Sequence, residues 1–133
     1  METKNTFITI DDDPVNNLLS KIIISKVIDG AVVSEFNFAQ DALDFISNQA
    51  ELPSKTTLLL DINMPEMNGW EFLETFGTFS QDVKDKFEIY MLSSSVDDTD
   101  INKSKDNTEV TGYISKPLTM DKLDVLFNKA KAA

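Results

Sequence analysis

Apolar residues in this chain fall into short β-rich runs separated by longer stretches with helical spacing. Thr6-Phe7-Ile8-Thr9-Ile10, Val32-Val33-Ser34-Glu35-Phe36, Leu58-Leu59-Leu60, Phe87-Glu88-Ile89-Tyr90-Met91-Leu92 and the weaker Val110-Thr111-Gly112-Tyr113-Ile114 read as five strands. The third is apolar throughout, as a strand buried on both faces should be. It stops on a carboxylate, Asp61, and Pro65 and Gly69 break regular structure just after it. Asp61 is therefore expected at the carboxyl end of a buried strand, facing a loop.

The intervening stretches predict helices. Asp13 is placed to cap the first, with Pro14 tolerated in its opening turn. Leu18, Ile22 and Val27, with Leu19 and Ile23 beside them, predict a broad apolar face, and Gly30 a stop. Asn37 with Gln40 resembles a capping box before a second helix marked by Ala42, Phe45 and Ile46, which ends before Pro53. Trp70, Leu73 and Phe76 mark a third helix. Ser95 with Asp98 predicts a short fourth, with Asp97, Asp98 and Asp100 as favourable charge at its start. The polar stretch from Asn102 to Thr108 reads as a loop. Thr119 is placed to cap a last helix with Leu123, Leu126, Phe127 and Ala130 on one face.

Five strands alternating with five helices predict an α/β fold with a parallel sheet covered by helices on both faces. Right-handed crossovers make it doubly wound. In the flavodoxin-like strand order 2-1-3-4-5, strands 1 and 3 are neighbours at the switch point where ligands bind. Asp11, Asp12 and Asp61 then meet in one crevice at the carboxyl edge of the sheet, and Ser93 and Lys116 line the same edge. Without repeats, low-complexity segments or an interdomain linker, residues 1–133 read as one domain with no output domain following.

Composition narrows the chemistry. The chain has no Cys and no His, which excludes disulfides, thiolate chemistry, a His general base and His-ligated metal within it. Any histidine chemistry must come from a partner. A net charge of −11 leaves no basic footprint for nucleic acid and disfavours anionic membranes. No apolar run nears the ~20 residues that span a bilayer, and a cytoplasmic setting is expected. Metal cations and basic partner surfaces suit the charge better.

Taken singly, the edge residues have ordinary explanations. Asp11, Asp12 and Asp61 suit turns, Asp13 a helix cap, Ser93 a strand end, Lys116 a surface and Tyr113 half-buried packing. Those explanations do not predict acid, acid, hydroxyl and lysine at the ends of strands 1, 3, 4 and 5. Crowded carboxylates repel unless a cation sits among them, and an oxygen-only donor set points to a hard ion, Mg²⁺ by preference. An acid able to attack, a metal and a mobile ammonium together suggest an aspartyl-phosphate.

These residues give the chain a resemblance to the receiver domain of two-component response regulators, the fold shared with the chemotaxis regulator CheY. It covers about Asn5 to Lys129. The matching motifs are Asp11-Asp12, Asp61-Ile62-Asn63-Met64-Pro65 with Gly69, Ser93, and Tyr113 with Lys116-Pro117. The resemblance implies that Asp61 is the phosphoacceptor, and that Asp12, Asp61 and the Asn63 backbone carbonyl bind Mg²⁺, with Asp11 in contact directly or through water. It implies that Lys116 pairs with the phosphoryl group and that Ser93 hydrogen-bonds it and couples to the position of Tyr113. Asn63 and Ser95 fall at positions that tune phosphoryl lifetime in such domains. The partners implied are a sensor histidine kinase or histidine phosphotransfer protein, and a downstream target bound through the fourth helix, fifth strand and fifth helix. The protein is then a phosphoacceptor that catalyses only its own phosphorylation and dephosphorylation.

Three other readings are weaker. An aspartate-nucleophile phosphatase of the haloacid dehalogenase type places its Asp-x-Asp after the first strand and commonly adds a cap insert. Here the candidate follows the third strand as Asp-x-Asn, and there is no room for a cap. A flavin carrier would set three Asp against an FMN phosphate. A P-loop is excluded because no Gly-x-x-x-x-Gly-Lys motif occurs.

Overall fold

The computed structural model describes residues 6–48, 55–94 and 98–132. In chain order the elements are β1 (Thr6–Ile10), α1 (Pro14–Val27), β2 (Val32–Phe36), α2 (Ala39–Asn48), β3 (Thr56–Asp61), α3 (Gly69–Phe76), α4 (Gln81–Lys84), β4 (Phe87–Ser93), α5 (Asp98–Asp106), β5 (Gly112–Ser115) and α6 (Met120–Ala132). The five strands form one parallel sheet in the order β2-β1-β3-β4-β5. The expected fold is therefore the observed one.

Every residue of β3 is buried, and its side chains alternate between two cores. Leu58 and Leu60 point into a layer with Ile8, Ile10, Leu43 and Ile46 of α2, and Phe72, Leu73 and Phe76 of α3. Leu59 points the other way, toward Phe7, Ile24 of α1, Tyr90, Ile114 and Leu123 of α6. With apolar helices on both faces, the polar ends of β1, β3, β4 and β5 emerge together at one edge.

Several local expectations hold. Asp13 caps α1 by accepting from the Val15 N–H at 2.9 Å. Gly30, just past the end of α1, has φ of +73°, a left-handed conformation suited to glycine. Thr119 accepts from the Lys122 N–H at the start of α6, and Leu123 of that helix is fully buried. The cap assigned to Ser95 lies outside the described residues, as do Asp97 and the side chains of Asp98 and Ala130.

Four expectations are corrected. Leu18, Leu19 and Ile22 of α1 are exposed; the helix instead buries Asn17, Ser20 and Ile24. Two stripes at helical spacing compete there, and the polar one faces the sheet because Asn17 hydrogen-bonds strand-end carbonyls. Asn37 forms no capping box with Gln40: its amide donates to the Asp11 carbonyl, while Gln40 donates to Asp44. The stretch from Asn102 is helical as far as Asp106, not loop. It has little apolar surface, and tertiary contacts hold it: Ser104 is buried, and Trp70 of α3 donates to Asp100 and lies beneath the Lys103 ammonium. Finally, the short α4, capped by Ser80, makes six helices among the described residues rather than five.

Candidate functional site

The carboxyl edge of β1 is built around Asp11, which is 4% exposed. Its N–H donates to the Phe36 carbonyl of β2 at 3.0 Å. Its own carbonyl accepts from the Asn17 amide at 3.0 Å and the Asn37 amide at 3.1 Å. Its Oδ1 accepts from the Asp13 N–H, and its Oδ2 from Lys116 Nζ at 2.7 Å. All of its polar atoms are engaged, as burial of a charge requires. Asp12, next in the chain, is exposed at the mouth of the crevice.

Asp61 ends β3 beside it and is also 4% exposed. The loop that follows returns sharply: Glu66 has φ of +68°, and the Gly69 N–H donates to the Ile62 carbonyl at 2.9 Å. A β-carbon on Gly69 would stand 2.7 Å from the Asp61 carbonyl oxygen, so only glycine allows α3 to start this close to the acid. Asn68 and Glu71 then form a reciprocal capping box.

Carboxylate oxygens of Asp11, Asp12 and Asp61 lie within 4.8 Å of one another. The Lys116 ammonium, at the end of β5, is 3.4 Å from Asp61 Oδ1 and bridges Asp11 and Asp61. Burial and the neighbouring Asp11 charge push the Asp61 carboxyl up to about 6, against the opposing pull of Lys116 and of the Asn63 N–H. Burial alone would lower Lys116, but its hydrogen bond to Asp11 and the charges of Asp61 and Asp11 raise it on balance. Asp61 thus bears the cost of the neighbouring charge, and the one lysine is shared by both acids. The turn carrying Lys116 is itself held by Lys122, whose Nζ donates to the Ser115 carbonyl at 2.7 Å and the Pro117 carbonyl at 3.0 Å.

Strand register brings Ser93 to the same edge. Leu92 pairs with Asp61, Ser93 follows it fully buried, and the Lys116 N–H donates to the Ser93 carbonyl. Tyr113 is half-buried on β5 between grooves lined by α5 and by α6. Asn63 is exposed in the loop, with its N–H turned to the Asp61 carboxylate. The structure therefore gathers Asp11, Asp12, Asp61 and Lys116 at close range and sets Ser93 and Asn63 beside them, with Tyr113 further along β5. A set of hard oxygen donors this crowded suits a divalent cation such as Mg²⁺. Sequence reasoning missed Asn17, Asn37 and Lys122, which support the acids and the lysine rather than join them. For Asn17 the available signal was its spacing to Ser20 and Ile24 directly after the acidic run.

The sequence matches the family model described as the response regulator receiver domain over residues 7–128. The chain belongs to that family. A two-component response regulator from Cytophaga hutchinsonii is 31% identical, with 99% of this chain and 100% of that one aligned at a TM-score of 0.84. A response regulator receiver protein from Dyadobacter fermentans is 32% identical over 93% of this chain and 95% of that one, with a TM-score of 0.83. The chemotaxis response regulator CheY4 of Vibrio cholerae, 20% identical, covers 96% of this chain and 98% of its own at a TM-score of 0.75, and shows the shared fold. No curated protein matches the chain in sequence. It is thus a CheY-like receiver domain of two-component systems, a family that binds Mg²⁺ at an acidic pocket and works with histidine kinases or phosphotransfer proteins. No helix among the described residues is long and apolar enough to cross a membrane.

Proposed function

We propose that Asp61 accepts a phosphoryl group from a phosphohistidine on a sensor histidine kinase or histidine phosphotransfer protein, and that the modified domain switches a protein-binding face. The observation that carries this reading is the convergence of Asp11, Asp12, Asp61 and Lys116 from the ends of three strands into one crevice. A carboxylate oxygen of Asp61 forms the new O–P bond as the N–P bond of the donor breaks, and the imidazole nitrogen leaves with the electron pair. With no histidine in this chain, the donor must be supplied by the partner. Asp61 has to be ionised to attack, and a carboxyl titrating near 6 is mostly carboxylate at pH 7.

The remaining roles follow from placement. The carboxylates of Asp12 and Asp61 and the Asn63 carbonyl are the groups that would hold Mg²⁺, with Asp11 in contact directly or through water. When bound, the ion offsets charge between the attacking carboxylate and the phosphoryl oxygens. Lys116, already shared between two acids, exchanges one of them for the phosphoryl group. Ser93 hydrogen-bonds that group, and its shift is passed to Tyr113 on the face formed by α5, β5 and α6. A downstream protein reads the change only through unequal affinity for the two states. The domain catalyses its own phosphorylation and dephosphorylation and turns over no other substrate; its setting is the cytoplasm, where such kinases present their phosphohistidine.

Acetyl phosphate with Mg²⁺ tests the assignment. Intact-mass analysis should show one acid-stable, base-labile phosphate on the wild type and none on Asp61→Asn. An adduct of that lability persisting in the variant would move the acceptor elsewhere.

A further inference from the structure

Asn17 is the least expected residue of α1. It is 1% exposed in a helix that leaves Leu18, Leu19 and Ile22 outside. Its amide nitrogen donates twice, to the Asp11 carbonyl at 3.0 Å and to the Phe36 carbonyl at 2.9 Å. Its oxygen, equally buried, has no hydrogen-bond partner among the described residues. An orphaned buried acceptor is a net cost to the fold, so fold stability alone gives this helix no reason to hold an amide there. Neither carbonyl depends on Asn17 for satisfaction: Asp11 O also accepts from Asn37, and Phe36 O also accepts from the Asp11 N–H. What the second donor adds is direction. Two amides, one from α1 and one from the residue after β2, fix the carbonyl of the peptide unit that joins Asp11 to Asp12, and with it the direction in which the exposed Asp12 carboxylate leaves the chain.

We infer that Asn17 and Asn37 are positioning residues for the cation site, clamping the Asp11–Asp12 peptide so that Asp12 faces Asp61 across the crevice. The inference rests on the metal role given to Asp12 and Asp61 above. Groups that orient a metal's ligands are worth about 10–100-fold in affinity, and the lower end applies here because each amide leaves the other in place.

Calorimetric titration of Mg²⁺ into the wild type, Asn17→Leu, Asn37→Ala and Asp12→Ala, with melting curves taken in the absence of Mg²⁺, separates the possibilities. The expected result is Mg²⁺ affinity about tenfold weaker in Asn17→Leu, with a metal-free Tm equal to or above that of the wild type because the orphan oxygen is gone. Asn37→Ala, altered outside any helix or strand, should weaken Mg²⁺ in the same sense and serves on its own if Asn17→Leu does not fold. Unchanged Mg²⁺ affinity in the folded variants, beside a wild type that binds and an Asp12→Ala that does not, overturns the clamp and leaves the metal site standing. A lower metal-free Tm with unchanged affinity gives Asn17 a purely structural role and overturns the clamp as well. A wild type that binds no Mg²⁺ overturns the metal site itself, and the clamp with it.

Discussion

Two strands of this sheet end on acids and hand over to a capped helix: β1 to α1 through Asp13, and β3 to α3 through Asn68. From there the helices diverge. α3 buries Phe72, Leu73 and Phe76, as its apolar spacing requires. α1 buries Asn17 and Ser20 with Ile24 and leaves Val15, Leu18, Leu19 and Ile22 in water. α3 follows the hydrophobic rule and holds its acid through a tight glycine approach. α1 bends that rule so that an amide can reach the strand ends. A helix that buries polar atoms beside a charged crevice is shaped by the crevice as much as by the core.

The contrast breaks first at Phe72, fully buried beneath β3. Phe72→Ala should cost about 3–5 kcal/mol in urea denaturation, the usual penalty for a large cavity. A loss below about 1 kcal/mol would mean that α3 is not the ordinary core helix described here.

Asp61 sharpens the comparison from the strand side. Its folded pKa, about 6, lies above the ordinary 3.8, so the native state holds this proton more tightly than the unfolded chain. The stability linked to that proton is fully present below about 3.8 and is lost as pH rises through about 6. At pH 7, without Mg²⁺, the ionised group therefore costs on the order of 3 kcal/mol. Asp61→Asn should recover most of this at pH 7 and little at pH 4, which urea midpoints at both values would show. Added Mg²⁺ should raise the wild-type Tm at pH 7, since it binds the assembled acids and not the dispersed ones. An Asp61→Asn variant no more stable than the wild type at pH 7 would refute the crowding.

A smaller effect comes from the two caps. Asn68→Ala removes one side of a reciprocal box and should lower stability by about 1 kcal/mol. Asn68→Ser, which keeps an acceptor, should recover most of it. Equal losses in the two variants would place the role of Asn68 in the loop rather than in the cap.

Much of this was legible in the chain. Alternation of β-rich and helical stretches was enough for a doubly wound parallel sheet, while the order 2-1-3-4-5 came from the flavodoxin-like pattern, one of the common orders of that class. The acids and Lys116 were legible because they interrupt or end apolar runs. Three of the four misreadings share one cause, the short α4 with its local Ser80 cap being the exception. α1, the Asn37 turn and the polar turns of α5 are decided by contacts with distant residues: Asn17 and Asn37 by the Asp11 carbonyl, α5 by Trp70 of α3. A helix wheel drawn from local spacing chooses the most apolar stripe, and it has no way to weigh a hydrogen bond to a strand end 19 residues later, as between Asn17 and Phe36. The cap box at Asn68 and Glu71 was local and readable, but Pro65 and Gly69 drew attention to the break rather than to the restart.

The least consequential change is the most direct measure of the inversion in α1. Leu18 is 51% exposed, and alanine is at least as good a helix former as leucine, so Leu18→Ala removes apolar surface without disturbing the backbone. A leucine packed as its spacing suggests would cost about 2–5 kcal/mol on truncation; one facing water should stay within about 0.5 kcal/mol. Paired with Ile24→Ala, six residues along the same helix and fully buried, the two measurements assign the inward stripe with no reference to the site. A large loss at Leu18 and a small one at Ile24 would turn α1 about its axis, carry Asn17 away from the Asp11 carbonyl, and remove the contrast with α3 altogether.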